Sequence, residues 1–260
     1  PPRSTLFPYT TLFRSCWHWP RLSVIVSAMK FSTMLSLLWV SALAAAAAVR
    51  TEIIEYKHGE VTLQGHLTYE DTFRGPRPGV LIAHQWKGLS DYEKKRAEML
   101  ARLGYVAFAV DIYGKGVRPQ SVEAAGAEAG KYKNDRALLR ARVNAGLETL
   151  RRHKLADGKR IAAIGYCFGG TTVLELARSG ANVAGVVSFH GGLDSPRPED
   201  GKNIKGKVLA LHGADDPFVP DAEVAGFIAE MRSAKADWQL IQYRSEERRV
   251  GKEGRSRWSP

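Results

Sequence analysis

The stretch GYCFGG, residues 165–170, lies between an apolar run at 160–164 (RIAAI) and a helix-like run at 171–177 (TTVLELA). A strand, then Gly-x-Cys-x-Gly, then a helix is the pattern of a sharp turn that lifts one nucleophilic side chain above the end of a sheet. The residues two positions either side of Cys167 have to be small, because the strand and helix backbones pass close there. Gly165 and Gly169 meet that demand. The turn leaves the Phe168 N–H free at the helix start, where it can stabilise an oxyanion. A thiol suits the place, since a helix N-terminus raises the thiolate fraction. Taken alone, the same six residues also describe an ordinary buried cysteine in a glycine-rich turn, so the flanking sequence has to separate the two readings.

Working outward, EIIEYKH and VTLQGHLTY flank Gly59-Glu60 and read as a hairpin at a sheet edge. RPGVLIAHQW carries a continuous apolar run from Val80 to Ala83, as expected of a strand buried on both faces, and YVAFAVDIYG reads the same way. SDYEKKRAEMLARLGY opens with Ser90 or Asp91 as N-cap, spaces Ala97, Leu100 and Leu103 as a helix does, and closes at Gly104. Lys131 to Lys154 reads as one basic helix with Leu138, Leu139, Val143, Leu147 and Leu150 on a single face. Further strands are expected at 183–189, 207–211 and 238–243, and a helix at 221–234. Buried strands alternating with helices imply one α/β domain, a mostly parallel sheet with helices on both faces. Ligands of such sheets bind beyond the carboxyl ends of the strands. That rim collects His84, Gln85, Trp86, Asp111, Cys167, His190 and Asp216.

The 260 residues are 44% hydrophobic and 25% charged, with a net charge of +11. Between Thr51 and Tyr243 there are 27 Lys+Arg against 24 Asp+Glu, so most of the excess sits at the ends and a nucleic-acid partner is not expected. Residues 1–15 (PPRSTLFPYTTLFRS) and 245–260 (SEERRVGKEGRSRWSP) have no helical or strand period and resemble translated adapter read-through. Met29-Lys30, the apolar stretch after it and the alanine run that follows make a secretory signal peptide. The expected organisation is therefore 1–28 non-native or upstream sequence, 29–48 signal peptide, 49–243 the domain and 244–260 a non-native tail. Phe31 to Val49 is also about long enough to cross a bilayer as an uncleaved anchor, but the alanine-rich end favours cleavage. The chain is therefore expected to be periplasmic or secreted, with no stable membrane insertion once the leader is cleaved. Only Cys16 and Cys167 are present, so loss of Cys16 with the leader leaves Cys167 either a small buried hydrophobe or a working thiol.

HGADDPFVP at 212–220 ends a strand and supplies two acids before a proline. Asp216 is the better orienting carboxylate and Asp215 the second choice, against simple turn chemistry as the bland reading. Together, GYCFGG, FHGGL at 189–193, GADDPFVP at 213–220 and HQWKGLSDYEKKRAEMLARLGYVAFAVDIYGKG resemble the dienelactone hydrolase family over about residues 52–243. The resemblance implies an α/β-hydrolase fold and a Cys-Asp-His triad acting on small esters or lactones without cofactor or metal. Carried over, the nucleophile is Cys167, the acid Asp216, and the oxyanion hole the N–H groups of Phe168 and Trp86. Gln85 stands where the family often has a glutamate. It can hydrogen-bond but cannot take a proton.

The histidines are at 18, 58, 66, 84, 153, 190 and 212, and none follows Asp216, where the family order puts the base. The last helix and the catalytic-histidine loop are therefore expected to be missing. His84 and His190 are expected at the rim, either touching substrate together with Gln85 or merely satisfied there, and His212 is expected to order the acid loop. Lys115 and Arg118, in a loop at 112–130, either attract an anionic substrate or are ordinary loop charges. A relative that binds a small ligand without catalysis is the alternative reading, and the oligomeric state is not encoded in any motif.

Overall fold

The computed structural model describes residues 48–243. The expected non-native stretches and almost all of the expected leader lie outside the described residues. β1 (Val49–His58) and β2 (Val61–Glu70) form the antiparallel edge hairpin, closed by Gly59 at φ 58°. β3 (Arg77–Ala83), β4 (Val106–Val110), β5 (Ala156–Tyr166), β6 (Gly185–Phe189), β7 (Lys207–Gly213) and β8 (Trp238–Tyr243) are mutually parallel. The sheet order is β1-β2-β4-β3-β5-β6-β7-β8, with β2 antiparallel to β4. The chain steps outward from β3 to β4 and then crosses to β5 on the other side of β3. The strand order thus reverses beside β3 and β5, where such sheets bind ligands.

Strand alternation assigns the two faces. Val80, Ile82, Ala107 and Ala109 pack under α1 (Asp91–Arg102), whose Ala97 is fully buried. Ser90 caps α1 and Glu93 completes a capping box. The opposite face, with Leu81, Phe108, Val110, Ile161 and Ala163, meets α3 (Arg136–Arg151) and α4 (Phe168–Arg178) through Leu139, Val143, Leu147, Val173 and Leu176. α5 (Asp221–Ala234) joins that core through Val224, Phe227 and Met231. This is the mostly parallel, two-sided α/β-hydrolase architecture. Under β6–β8 on the α1 side no described helix packs, and Ala162, Val187 and Leu209 stay half-buried along an open groove of about 570 Å³.

The 112–154 region departs from expectation. Residues 122–134 form a helix, α2 (Val122–Asn134), capped by Ser121 and burying Ala125, Ala129 and Tyr132. The single helix expected over 131–154 is broken at Asp135, which leaves helical φ/ψ (−121°, 85°) and accepts the Leu138 N–H at 2.9 Å through Oδ1. An aspartate caps a helix better than it continues one, so the basic run is split between two helices.

Charges buried between α4 and α5 hold the sheet's far half. Arg178, 1% exposed, donates from Nε and Nη2 to Glu230 at 2.9 and 2.7 Å and from Nη1 to Glu175 at 2.9 Å. Arg140 bridges Glu175 and Asp200. Replacing Arg178 with Met strands the buried Glu230 carboxylate and leaves Glu175 with Arg140 alone, and urea unfolding is expected to show a loss of about 3–5 kcal/mol. Arg197→Ala, which removes ion pairs whose arginine side chain is 66% exposed, is expected to cost under about 1 kcal/mol in the same assay.

Candidate active site

β5 delivers Cys167 to the rim and α4 begins at the next residue. Cys167 has φ 56° and ψ −118°, a conformation that costs a non-glycine residue of order 1–3 kcal/mol and persists where the surroundings enforce it. A Cβ on Gly165 would lie 1.9 Å from the Gly169 carbonyl oxygen, and one on Gly169 would lie 2.2 Å from the Ala83 carbonyl oxygen. Only hydrogen fits at either place, so the elbow read from GYCFGG is present in its steric detail. The Phe168 N–H follows directly at the start of α4, where it favours the thiolate.

Register then brings the rim residues together. Tyr166 is opposite Phe189, and Phe189 opposite Leu211. The next residues along, Cys167, His190 and His212, therefore stand on adjacent strand ends, about 4.8 Å per step. The Cys167 N–H donates to the Phe189 carbonyl at 2.9 Å and the His190 N–H to the Leu211 carbonyl at 2.8 Å. His190 is exposed, with φ 43°. Asp216, half-buried in the turn after β7, accepts the Phe218 N–H at 3.0 Å through Oδ1. Its charge is felt at both Cys167 and His190.

Burial pushes the Cys167 thiol above the ordinary thiol range. The Phe168 N–H and the Lys133 ammonium pull it back, and the Asp216 charge pushes it further up. Among the described residues, no imidazole bonds the sulfur. His212 is 2% exposed, and neither ring nitrogen has a protein hydrogen-bond partner among the described residues. It does not tie down the acid loop by hydrogen bonding, as the sequence led us to expect. Burial holds it neutral by lowering its pKa.

The loop after β3 completes the rim. Gln85 and Trp86 are half-buried. The Gln85 N–H donates to Glu93 Oε1 at 3.3 Å, the Gly88 N–H closes a turn onto the Gln85 carbonyl at 3.1 Å, and Tyr113 Oη donates to the Trp86 carbonyl at 2.9 Å. The Trp86 N–H donates to no protein group among the described residues, as an oxyanion donor requires. His84 differs from expectation. It is 0% exposed with both ring nitrogens engaged, Nδ1 with the Gln85 carbonyl at 2.6 Å and Nε2 with the Ile112 N–H at 3.2 Å. Direct substrate contact by His84 does not hold in this structure, because the ring is sealed between Tyr113 and Phe168.

Asp111, also expected at the rim, is fully buried and accepts the Gln64, Tyr113 and Gly114 N–H groups. Lys115 pairs with Glu55 at 2.5 Å, and Arg118 braces the Leu89 and Val117 carbonyls at 2.6 Å, so both are structural charges. Sequence reasoning missed Tyr113, Glu93 and Lys133. Glu93 was findable, since Ser90-x-x-Glu93 is a capping-box pattern. Lys133 was not, because only the break at Asp135 decides where it lies.

Residues 63–247 match the model of the dienelactone hydrolase family. A curated Bradyrhizobium protein named "Probable 2-oxo-3-(5-oxofuran-2-ylidene)propanoate lactonase" is 28% identical over 65% of this chain and 72% of its own length. The solved structure m3DLH is 40% identical, with a TM-score of 0.74 over 76% of this chain and 82% of its own. A dienelactone hydrolase-like promiscuous phosphotriesterase from metagenomic libraries is 37% identical, with a TM-score of 0.71 over 75% of this chain and 82% of its own. With the strained cysteine, the close-packed elbow and the braced loop after β3 all in place, the chain belongs to the dienelactone hydrolase family, hydrolases of esters or lactones.

Proposed function

We propose that this chain hydrolyses small esters or lactones of the carboxymethylenebutenolide type through Cys167. The observation that carries the reading is Cys167 itself, held at φ 56° as the N-cap of α4 between the close-packed Gly165 and Gly169. The thiolate attacks the substrate carbonyl carbon, a C–S bond forms, and the carbonyl electrons move onto oxygen. The Phe168 and Trp86 N–H groups stabilise that oxyanion, an arrangement that usually supplies the largest share of rate enhancement in acyl transfer. Collapse breaks the C–O bond and releases the alcoholate, which takes a proton. Water then hydrolyses the thioester to the acid and restores the thiol. Asp216 is the carboxylate of the triad, and Gln85 and His190 line the entrance as substrate contacts. The leader-like pattern at 29–48 supports a periplasmic or secreted enzyme.

The proton acceptor sets the rate. No histidine follows Asp216, and burial keeps the thiol protonated at neutral pH. The chain as it stands is therefore a slow catalyst, with the oxyanion hole and binding leaving roughly 10³- to 10⁴-fold over water.

Acylation by p-nitrophenyl acetate is expected to rise about tenfold per pH unit between roughly pH 7 and 9, following the thiolate fraction of a raised thiol. A plateau already reached near neutrality would show that a neighbouring group takes the proton. Cys167→Ala is expected to remove catalytic turnover of both substrates, read as p-nitrophenol release from the acetate ester and as acid formed by ring opening in a lactone screen. Equal turnover by the two proteins would leave the non-catalytic ligand-binding reading in its place.

A further inference from the structure

We propose that His84 is the positioning residue of the oxyanion hole, its buried imidazole holding the Gln85–Trp86 peptide so that the Trp86 N–H is turned toward Cys167. The inference rests on the cysteine-hydrolase reading and adds a residue that touches neither substrate nor sulfur. The tautomer follows from the partners. The Ile112 N–H donates to Nε2 at 3.2 Å, so Nε2 carries the lone pair and the proton sits on Nδ1. Nδ1 therefore donates to the Gln85 carbonyl, at 2.6 Å.

That carbonyl and the Trp86 N–H belong to one planar peptide unit, and no described peptide is cis. In a trans peptide the two groups point in opposite directions, so holding the oxygen inward aims the N–H outward. The other polar groups of the loop are taken, with Gln85 N–H on Glu93 and the Trp86 carbonyl on Tyr113. The Trp86 N–H is left for a ligand. The ring cannot swing, because Tyr113 meets it edge-on at 4.7 Å and Phe168 stacks on it at 5.8 Å. Phe168 also carries the other N–H assigned to the oxyanion hole, so one aromatic contact ties both donors together. The elbow presses on the same segment, since a Cβ on Gly169 would stand 2.8 Å from the His84 carbonyl oxygen.

Two reactions of the same sulfur separate positioning from mere packing. Acylation by p-nitrophenyl acetate passes through an oxyanion, whereas alkylation by iodoacetamide does not. Both are measured on the full chain at one pH, with the Cys167→Ala chain subtracting reaction at Cys16. His84→Phe fills the space but cannot donate. It is expected to slow acylation by about 10- to 100-fold, a part of what one oxyanion donor is worth, while alkylation stays within about twofold of the parent, since it reads the thiolate alone. If circular dichroism shows that this variant does not fold, His84→Asn keeps a polar group near Ile112 but is too short to reach the Gln85 carbonyl as well, and should give the same split.

Unchanged acylation, or both rates falling together, overturns the role of His84. Should the parent sulfur be alkylated yet acylated no faster than free cysteine at equal thiolate, the cysteine-hydrolase reading fails and takes this inference with it.

Discussion

The approach of α4 to the end of β3 is the constraint on which the site depends. Gly169 lies so close to the Ala83 and His84 carbonyls that no side chain fits between them. That contact forces the chain to turn at Cys167 within one residue, which accounts for the unfavourable φ there. It also fixes the distance between the two segments expected to supply oxyanion donors. Strain at the cysteine is sustained by a helix buried along its whole length.

Charge is distributed with the same economy. The large buried ion cluster of Arg178, Glu175, Glu230 and Arg140 sits beneath α4 and α5, remote in sequence yet shared by the elements that carry Cys167 and follow Asp216. At the rim the signs oppose each other. Burial and the Asp216 carboxylate disfavour the thiolate, while Lys133 and the Phe168 N–H favour it. Burial outweighs the helix N-terminus here, so the resting sulfur is protonated. A helix start alone is not enough to make a reactive thiolate when the desolvation cost is large.

Much of the frame could be read from the chain because local patterns and tertiary demands agree. Continuous apolar runs such as Val80–Ala83 became the central strands, and the 221–234 and 238–243 elements fall where periodicity put them. The errors lie where polar side chains compete with periodicity. Asp135 breaks a run of helix-forming residues by capping α3, and an alanine- and glycine-rich stretch becomes helical because Ala125, Ala129 and Tyr132 find a core to bury in.

The sequence by itself determined the elbow, since Gly-x-Cys-x-Gly between a strand and a helix is a local steric requirement written in consecutive residues. It also determined which residues end strands, and hence which gather at one rim. What the histidines do there was decided by the tertiary structure. His84 and His190 read as rim residues and His212 as the residue ordering the acid loop. Yet His84 is locked between two rings with both nitrogens engaged, His190 is exposed, and His212 is buried without a hydrogen bond among the described residues. An imidazole's role follows from the partners its two nitrogens meet, and those partners come from segments far apart in the chain.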